Sequence, residues 1–211
     1  FYPVGQFVER YVVTDGAGNQ DSCTILVTVT DNQNPAISCP ANIVRSNDPG
    51  QCGAVVTFTN PTGSDNCSGI AVTQTAGLPN GSFYPVGINA LTFQVTDSSG
   101  NSAICSFSIT VNDNERPVPT CPANIVVTAD SGSCDALVNY SVTSSDNCPG
   151  ELLTLKFGQL SGTNFSLGST FIRYLVTDAA NNVDSCDFTV TVNDGQAPVI
   201  ICPNDTILNN N

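Results

Sequence analysis

Histidine, methionine and tryptophan are absent from the 211 residues, and cations are scarce. Without His the usual general base is missing, and so is the imidazole of a nucleophilic triad. Five Lys and Arg cannot assemble the basic patch that phosphate neutralisation requires, so nucleic acid is excluded as a partner. Against them stand 18 Asp and Glu, a formal net charge of −13, and anionic membrane surfaces repel such a chain. Charged residues make up only 11%, against roughly 25% in an ordinary globular protein. Thr, Ser, Asn and Gly cover the surface instead, as suits an extracellular module. No apolar run approaches the ~18 residues of a membrane-spanning helix, so no membrane insertion is expected. There is no signal peptide and no initiator Met, and the chain opens in mid-pattern; it reads as a window on a longer polypeptide.

Cysteine, by contrast, is abundant: ten in 211 residues. Zinc-thiolate sites favour closely spaced Cys pairs, and no two Cys here stand nearer than 13 positions. Disulfides in an oxidising compartment are the better reading. The Cys also belong to a repeat. Gly5, Gly87 and Gly168 are each followed ten residues later by Asp15, Asp97 or Asp178. At steps of eight come Cys23, Cys105 and Cys186, then Asp31, Asp113 and Asp194, then Cys39, Cys121 and Cys202. Cys52 and Cys134 follow 13 later, and Cys67 and Cys148 each close a Ser-Asp-Asn-Cys run. The period is 82 and then 81 residues, and the one-residue change falls between the second and third Cys, in a loop.

Inside the repeat the periodicity is two. Leu91, Phe93 and Val95 alternate with polar residues, as do Cys105, Phe107, Ile109 and Val111, and likewise Ala54, Val56 and Phe58, and Ala136, Val138 and Tyr140. Such alternation marks strands with one buried face. Short strands between turns such as Asp97–Asn101 mark a sandwich. The expected fold is all-β: tandem Ig-like β-sandwich domains of about 82 residues. Pro35, Pro117 and Pro198 stop and stiffen the connections, which places boundaries at the Asp-x-x-x-Pro segments. Residues 1–31 are then the C-terminal strands of a truncated domain. Residues 32–113 and 114–194 are whole domains, and 195–211 is the first strand of another or a donated strand.

Several motifs in order carry a family resemblance. They are Cys-Pro-Ala-Asn-Ile-Val from Cys39, Gly-Gln-Cys-Gly-Ala-Val-Val around Cys52, Ser-Asp-Asn-Cys-Ser ending at Ser68 and Phe-Tyr-Pro-Val-Gly ending at Gly87. Val-Thr-Asp-Ser-Ser-Gly-Asn ending at Asn101 and Cys-Ser-Phe-Ser-Ile-Thr-Val from Cys105 complete the set. The chain resembles the hyalin-repeat (HYR) domain across essentially its whole length. That resemblance implies Ig-like modules of extracellular or cell-surface adhesive and matrix proteins, often in long arrays, with no catalytic residues. The third unit departs locally: Asn181 stands for the turn Gly, and Ser-Leu-Gly for Pro-Val-Gly.

In an Ig-like layout the first strand runs parallel to the last, which suggests the pairs Cys39–Cys105 and Cys121–Cys186. The remaining Cys would then pair as Cys52–Cys67 and Cys134–Cys148. Cys23 and Cys202 lack partners in this scheme, through truncation or through exchange between subunits.

Two readings stand for the acidic loops. As a calcium site, Asp31, Asn32, Asp65, Asn66, Asp97 and Asn101 converge at one joint, and Asp113, Asn114, Asp146, Asn147, Asp178 and Asn182 at the next. The linkers resemble the acidic linkers of cadherin-type arrays, and calcium takes six to eight oxygens. As ordinary turns, the same residues need no ion, because Asp, Asn and Gly are turn formers. No organic cofactor is implied. Asn66, Asn80, Asn139, Asn164 and Asn204 head Asn-x-Ser/Thr glycosylation signals, with Asn139 facing solvent between Val138 and Tyr140. Glu9, Glu115 and Glu151 are isolated, the other carboxylates recur with the repeat, and no phosphate loop is present, so an enzyme is not expected. The inward aromatics Phe93, Phe107, Tyr174 and Phe188 read as core, and Phe1-Tyr2-Pro3 and Phe83-Tyr84-Pro85 as sandwich-edge packing. The function expected is structural: a stalk, matrix element or fibre whose partners are its own repeats or copies. The alternative is an adhesin or receptor segment binding a glycan or a protein, with Gln74–Ser82 as its most divergent surface.

Overall fold

The alternation of apolar and polar residues becomes two long hairpins, one in each repeat. The computed structural model describes residues 1–203 and 205. In the first repeat β9 (Gly87–Thr96) and β10 (Ser102–Asn112) pair antiparallel from Gly87↔Val111 to Thr96↔Ser102. Period two sends Leu91, Phe93, Val95, Phe107, Ile109 and Val111 to one face, where all are buried. Two more strands complete this sheet: β7 (Ala71–Ala76) beside β9, and β4 (Ile43–Ser46) parallel to β10. Short pairs face it. β3 (Ala36–Ser38) pairs with β6 (Thr62–Ser64), and β5 (Gly53–Val55) pairs with β8 (Phe83–Pro85). Ala54, Val56 and Tyr84 from this second layer pack against Leu91, Phe93, Phe107, Ile109 and Val111.

The second repeat follows the same plan. Its large sheet orders β12 (Ile125–Thr128), β18 (Val183–Asn193), β17 (Gly168–Thr177) and β15 (Leu152–Phe157). The opposing pairs are β11 (Val118–Thr120) with β14 (Thr143–Ser145), and β13 (Asp135–Val138) with β16 (Thr163–Ser166). Its core is Ala136, Val138, Phe165, Ile172, Phe188, Val190 and Val192. The phenol hydroxyls move between the two cores. In the first repeat buried Tyr84 donates to the carbonyls of Leu78 and Pro79, at 2.7 and 3.0 Å. In the second, Phe165 takes that place, and the hydroxyls of Tyr140 and Tyr174 stand 3.2 Å apart, with Tyr140 also donating to the Gln159 carbonyl. Each buried phenol therefore keeps a partner, as its polarity demands.

β1 (Gly5–Thr14) and β2 (Gln20–Val29) form the same long hairpin, with no opposing layer among the described residues. Tyr11 and Val13 are 58% and 68% exposed where the equivalent Phe93 and Val95 are 6% and 0%. All three hairpins turn on one device. The backbone N–H of Asp15, Asp97 and Asp178 donates to the carbonyl of Asn19, Asn101 and Asn182. The fourth turn position has positive φ: 90° at Gly18, 92° at Gly100 and 70° at Asn181. Asn is the side chain best tolerated there after Gly, so the departure at position 181 leaves the hairpin intact.

By contact density the chain divides in two: Phe1–Asp48 with Cys52–Asp113, and Pro49–Gln51 with the residues from Asn114 onward. Among the described residues 195–203 form no strand.

The first strand of each sandwich is split, and Cys39 lies between its halves β3 and β4. It bonds to Cys105 on β10, and Cys121 bonds to Cys186 on β18. The other expected pairings are not made. Cys67 and Cys134 are free thiols, whereas Cys52 and Cys148 are disulfide-bonded. The reason is topological. The Val86 N–H donates to the Cys52 carbonyl at one end of β9, and the Ser98 hydroxyl donates to the carbonyl of Ser68, next to Cys67, at the other. Ten strand residues at ~3.3 Å each put those ends about 33 Å apart, far beyond the ~4.4–6.8 Å between bridged Cα atoms. Cys134 and Cys148 are separated in the same way by β17: the Leu167 N–H donates to the Cys134 carbonyl, and Gly150 approaches Ala179. Cys23 and Cys202 are free and exposed.

Candidate metal centre

The pole at which the chain enters each repeat gathers carboxylates from the linker and the loops. In the first repeat the linker brings Asp31, and the loop after β6 brings Asp65 and Cys67. One ligand atom from each of these three lies within 4.8 Å of the others. Two atoms that both ligate one calcium ion at ~2.4 Å can be no farther apart than about 4.8 Å, so the spacing fits that ion. Loop chemistry orients both acids. Asp31 accepts the Gln33 N–H at 3.0 Å on Oδ1, and Asp65 accepts the Cys67 N–H at 3.0 Å on Oδ2. Their second oxygens, Asp31 Oδ2 and Asp65 Oδ1, are buried and accept no hydrogen bond. A desolvated carboxylate oxygen without a donor is costly, and a cation at that point would relieve it.

In the second repeat the corresponding group is Asp113, Asp146 and Asp178, again with one oxygen from each within 4.8 Å. Asp113 and Asp178 are buried. Asp146 accepts the Cys148 N–H at 3.1 Å, reproducing the Asp65–Cys67 turn. Hard carboxylate oxygens suit calcium or magnesium rather than zinc or copper.

The turn acids divide between the two readings. Asp97 Oδ1 accepts the N–H groups of Ser99 and Asn101 at 2.9 and 2.8 Å, and Oδ2 accepts the Asn101 amide at 2.8 Å. Burial raises the Asp97 pKa, but these hydrogen bonds outweigh it and hold the carboxyl below its ordinary value. Asp97 thus works as a hairpin clasp, and Asn101 uses its amide again to reach the Asp31 carbonyl at 3.1 Å. Asp178 holds Asn182 in the same clasp, at 2.7 Å to the N–H and 2.8 Å to the side-chain amide, yet also joins its acidic group. Asp15 and Asn19 make a third copy in the β1–β2 hairpin. Asn32, Asn66 and Asn114 are exposed, and Asn147 donates to the Gln51 carbonyl at 3.0 Å. The participant missed in the sequence is Cys67, which was assigned to a disulfide; its signal is the two-residue spacing from Asp65. The Asp31 carboxylate that the thiol faces, then desolvation and the charges of Asp65 and Asp97, push its pKa up. It is no activated nucleophile.

Of the glycosylation signals, Asn139 is exposed, as its strand position implies. Asn80 is exposed, but its amide nitrogen donates to the Phe58 carbonyl at 2.7 Å and to Asn60 at 3.2 Å. Asn164 is exposed and donates to Asp135 at 3.3 Å, and Asn204 lies outside the described residues. Phe93, Phe107 and Phe188 are core and Tyr174 packs against it; Tyr84 is buried, while Phe83 beside it is 45% exposed.

The chain is 34% identical to hyalin of Strongylocentrotus purpuratus and 33% identical to hyalin of Lytechinus variegatus, over 98% of its length in both cases. It spans only 18% and 41% of those two proteins. It is 31% identical over 58% of its length to the sushi, von Willebrand factor type A, EGF and pentraxin domain-containing protein 1 of Rattus norvegicus, covering 3% of that protein. Among solved structures, protocadherin gamma B2 extracellular cadherin domains 3–6 aligns with 90% of this chain and 60% of that one, at 13% identity and a TM-score of 0.39. The HYR domain model matches residues 30–111 and again 112–192. With two tandem matches covering most of its length and hyalins similar to it from end to end, the chain belongs to the HYR domain family.

Proposed function

We propose that the chain is a structural segment of an extracellular array, built from domains at 32–113 and 114–194, in which calcium at the acidic pole of each repeat stiffens the joint. The observation that carries this reading is the gathering of Asp31 and Asp65 within ligand distance, each with a buried oxygen that accepts no hydrogen bond, and a corresponding acidic group one repeat later at Asp113, Asp146 and Asp178. Each group falls where a linker meets its repeat, so one ion would tie linker to loop. The disulfides support an oxidising, extracellular setting. The job is mechanical, not catalytic: the carboxylates recur with the repeat, and there is no His to serve as base. Partners are other repeats or other copies of the chain. Adhesion to a protein or glycan is the second reading, supported by the exposed Leu78 within the divergent Gln74–Ser82 segment and the exposed Phe83 directly after it.

The test is calorimetric titration of calcium into the metal-stripped chain, with the melting temperature followed in parallel. Extracellular calcium modules bind at about 0.1–1 mM, so 10 mM calcium adds roughly 1.5–3 kcal/mol per site. Asp31→Asn and Asp146→Asn are each expected to remove one site's heat. An absence of both heat and thermal shift overturns the calcium reading and leaves disulfides and linker packing to provide the rigidity.

A further inference from the structure

The four cysteines outside the sandwich bridges are not used alike. Cys52 and Cys134 are equivalent positions in successive repeats, and so are Cys67 and Cys148. The second cysteine of the first repeat, Cys52, is oxidised, while its equivalent Cys134 is a thiol. The third cysteine of the second repeat, Cys148, is oxidised, while its equivalent Cys67 is a thiol. Within each sandwich the second and third cysteines stand at opposite poles, about 33 Å apart along the central strand, so neither can serve the other.

Each thiol is open to a partner. Cys134 is exposed where the chain leaves its repeat, in a cleft it shares with Asp194, Gln196 and Pro198. The outgoing linker is pinned beside it, with the Gly132 N–H donating to Gln196 at 3.3 Å and Gln196 donating to the Ser131 hydroxyl at 3.2 Å. Cys67 is half-buried where the chain enters its repeat, in a cleft lined by Tyr2, Asp31, Asn66 and Ser98.

We propose that Cys67 and Cys134 are inter-repeat disulfide sites: Cys134 bonds to the third cysteine of an HYR repeat joined after it, and Cys67 to the second cysteine of an HYR repeat joined before it. In both repeats the second cysteine occupies the trailing pole and the third the leading pole. The chemistry is thiol–disulfide exchange with a small disulfide oxidant, oxidised glutathione. The Cys134 thiolate attacks one glutathione sulfur and expels a glutathione thiolate. The third-cysteine thiolate of the next repeat then attacks the Cys134 sulfur and expels the second. Two protein thiols lose two electrons and two protons, and one glutathione disulfide becomes two glutathione thiols.

The experiment is a concatemer in which residues 1–194 are followed directly by residues 32–211, so that Cys134 precedes a second Cys67. The chain carries Cys23→Ser and Cys202→Ser, with Cys67→Ser in the first copy and Cys134→Ser in the second, is refolded with reduced and oxidised glutathione in EDTA, is alkylated, and is mapped by peptide mass spectrometry without reduction. EDTA keeps the outcome independent of calcium. The expected product is a peptide pair joining Cys134 to the second Cys67, with that pair fully protected from alkylation. Cys134→Ser should leave the second Cys67 alkylated and every other bridge unchanged. Alkylation of both thiols in the folded concatemer overturns the proposal, as does a bond from Cys134 to Cys148 or from Cys67 to Cys52.

Discussion

Removing the bridge between the split first strand and the last strand isolates its contribution. In the variant C39A/C105A the loop once closed by 66 residues of separation opens in the unfolded chain. On the chain-entropy relation such a loop is worth about 4.4 kcal/mol at 25 °C. A domain of this size has ~5–15 kcal/mol in total, so the first repeat should become marginal. Cys39 and Cys105 both pack against the core that holds Phe107, and alanine keeps that surface apolar. The second repeat retains Cys121–Cys186, separated by 65 residues, and serves as the internal reference. Hydrogen exchange read by mass spectrometry resolves the two. Amides of β9 and β10 should exchange roughly a thousandfold faster in the variant, since about 1.4 kcal/mol is a factor of ten, while those of β17 and β18 keep their rates. Acceleration below about tenfold in β9 and β10 would show that this bridge does not act through the unfolded chain. Equal acceleration in both repeats would show that they do not unfold separately.

Two further outcomes follow from local geometry. Gly77 has φ 93°, and a Cβ there would stand 2.7 Å from the Ala90 carbonyl oxygen, whereas one at Gly100 would meet nothing within 4 Å. Gly77→Ala should therefore cost about 2–3 kcal/mol in urea unfolding, and Gly100→Asn, which copies Asn181, under about 1 kcal/mol. Burial raises the pKa of the Tyr84 phenol, and burial followed by the hydrogen bond with Tyr174 raises that of Tyr140. The unfolded phenols ionise near ~10 while these two stay protonated in the folded state, so stability is whole below ~10 and declines above it. The urea midpoint of the thiol-alkylated protein should hold up to pH ~10 and fall above it, and Tyr140→Phe should flatten that fall.

The long hairpins were legible in the sequence because period two, a half-buried face and a Gly- or Asn-containing turn all agree at β9, β10, β17 and β18. The 39–105 and 121–186 pairs were legible for a related reason: a parallel first and last strand admits them. The pairing of Cys52 with Cys67 failed because it joined the two cysteines left over in one repeat, and those two stand at opposite poles. Which pole a cysteine occupies depends on the reversal of the chain through β6, β7 and β8, and no local pattern encodes that. The acidic pole was partly legible. Asp31, Asp65, Asp113, Asp146 and Asp178 do gather, but whether Asp97 faces an ion or a turn depends on which donors reach its oxygens. The Asp-x-x-x-Asn spacing signals the clasp. The bare oxygens of Asp31 and Asp65 carry no such signal, since they follow from how deeply the linker settles against the loop.

The parallel pairing of β4 with β10 also determines how one repeat bears tension. Force entering at the linker and leaving at the end of the last strand runs along both strands in opposite senses. Their hydrogen bonds are then loaded together, in shear, rather than broken one at a time. Should they slip, Cys39–Cys105 catches the chain almost at once. The residues between the two sulfurs, some 230 Å of extended contour at ~3.5 Å each, are withheld from stretching. Under tension such a module yields by the short lengths outside its bridge and then stops, behaving as a tether with a fixed limit.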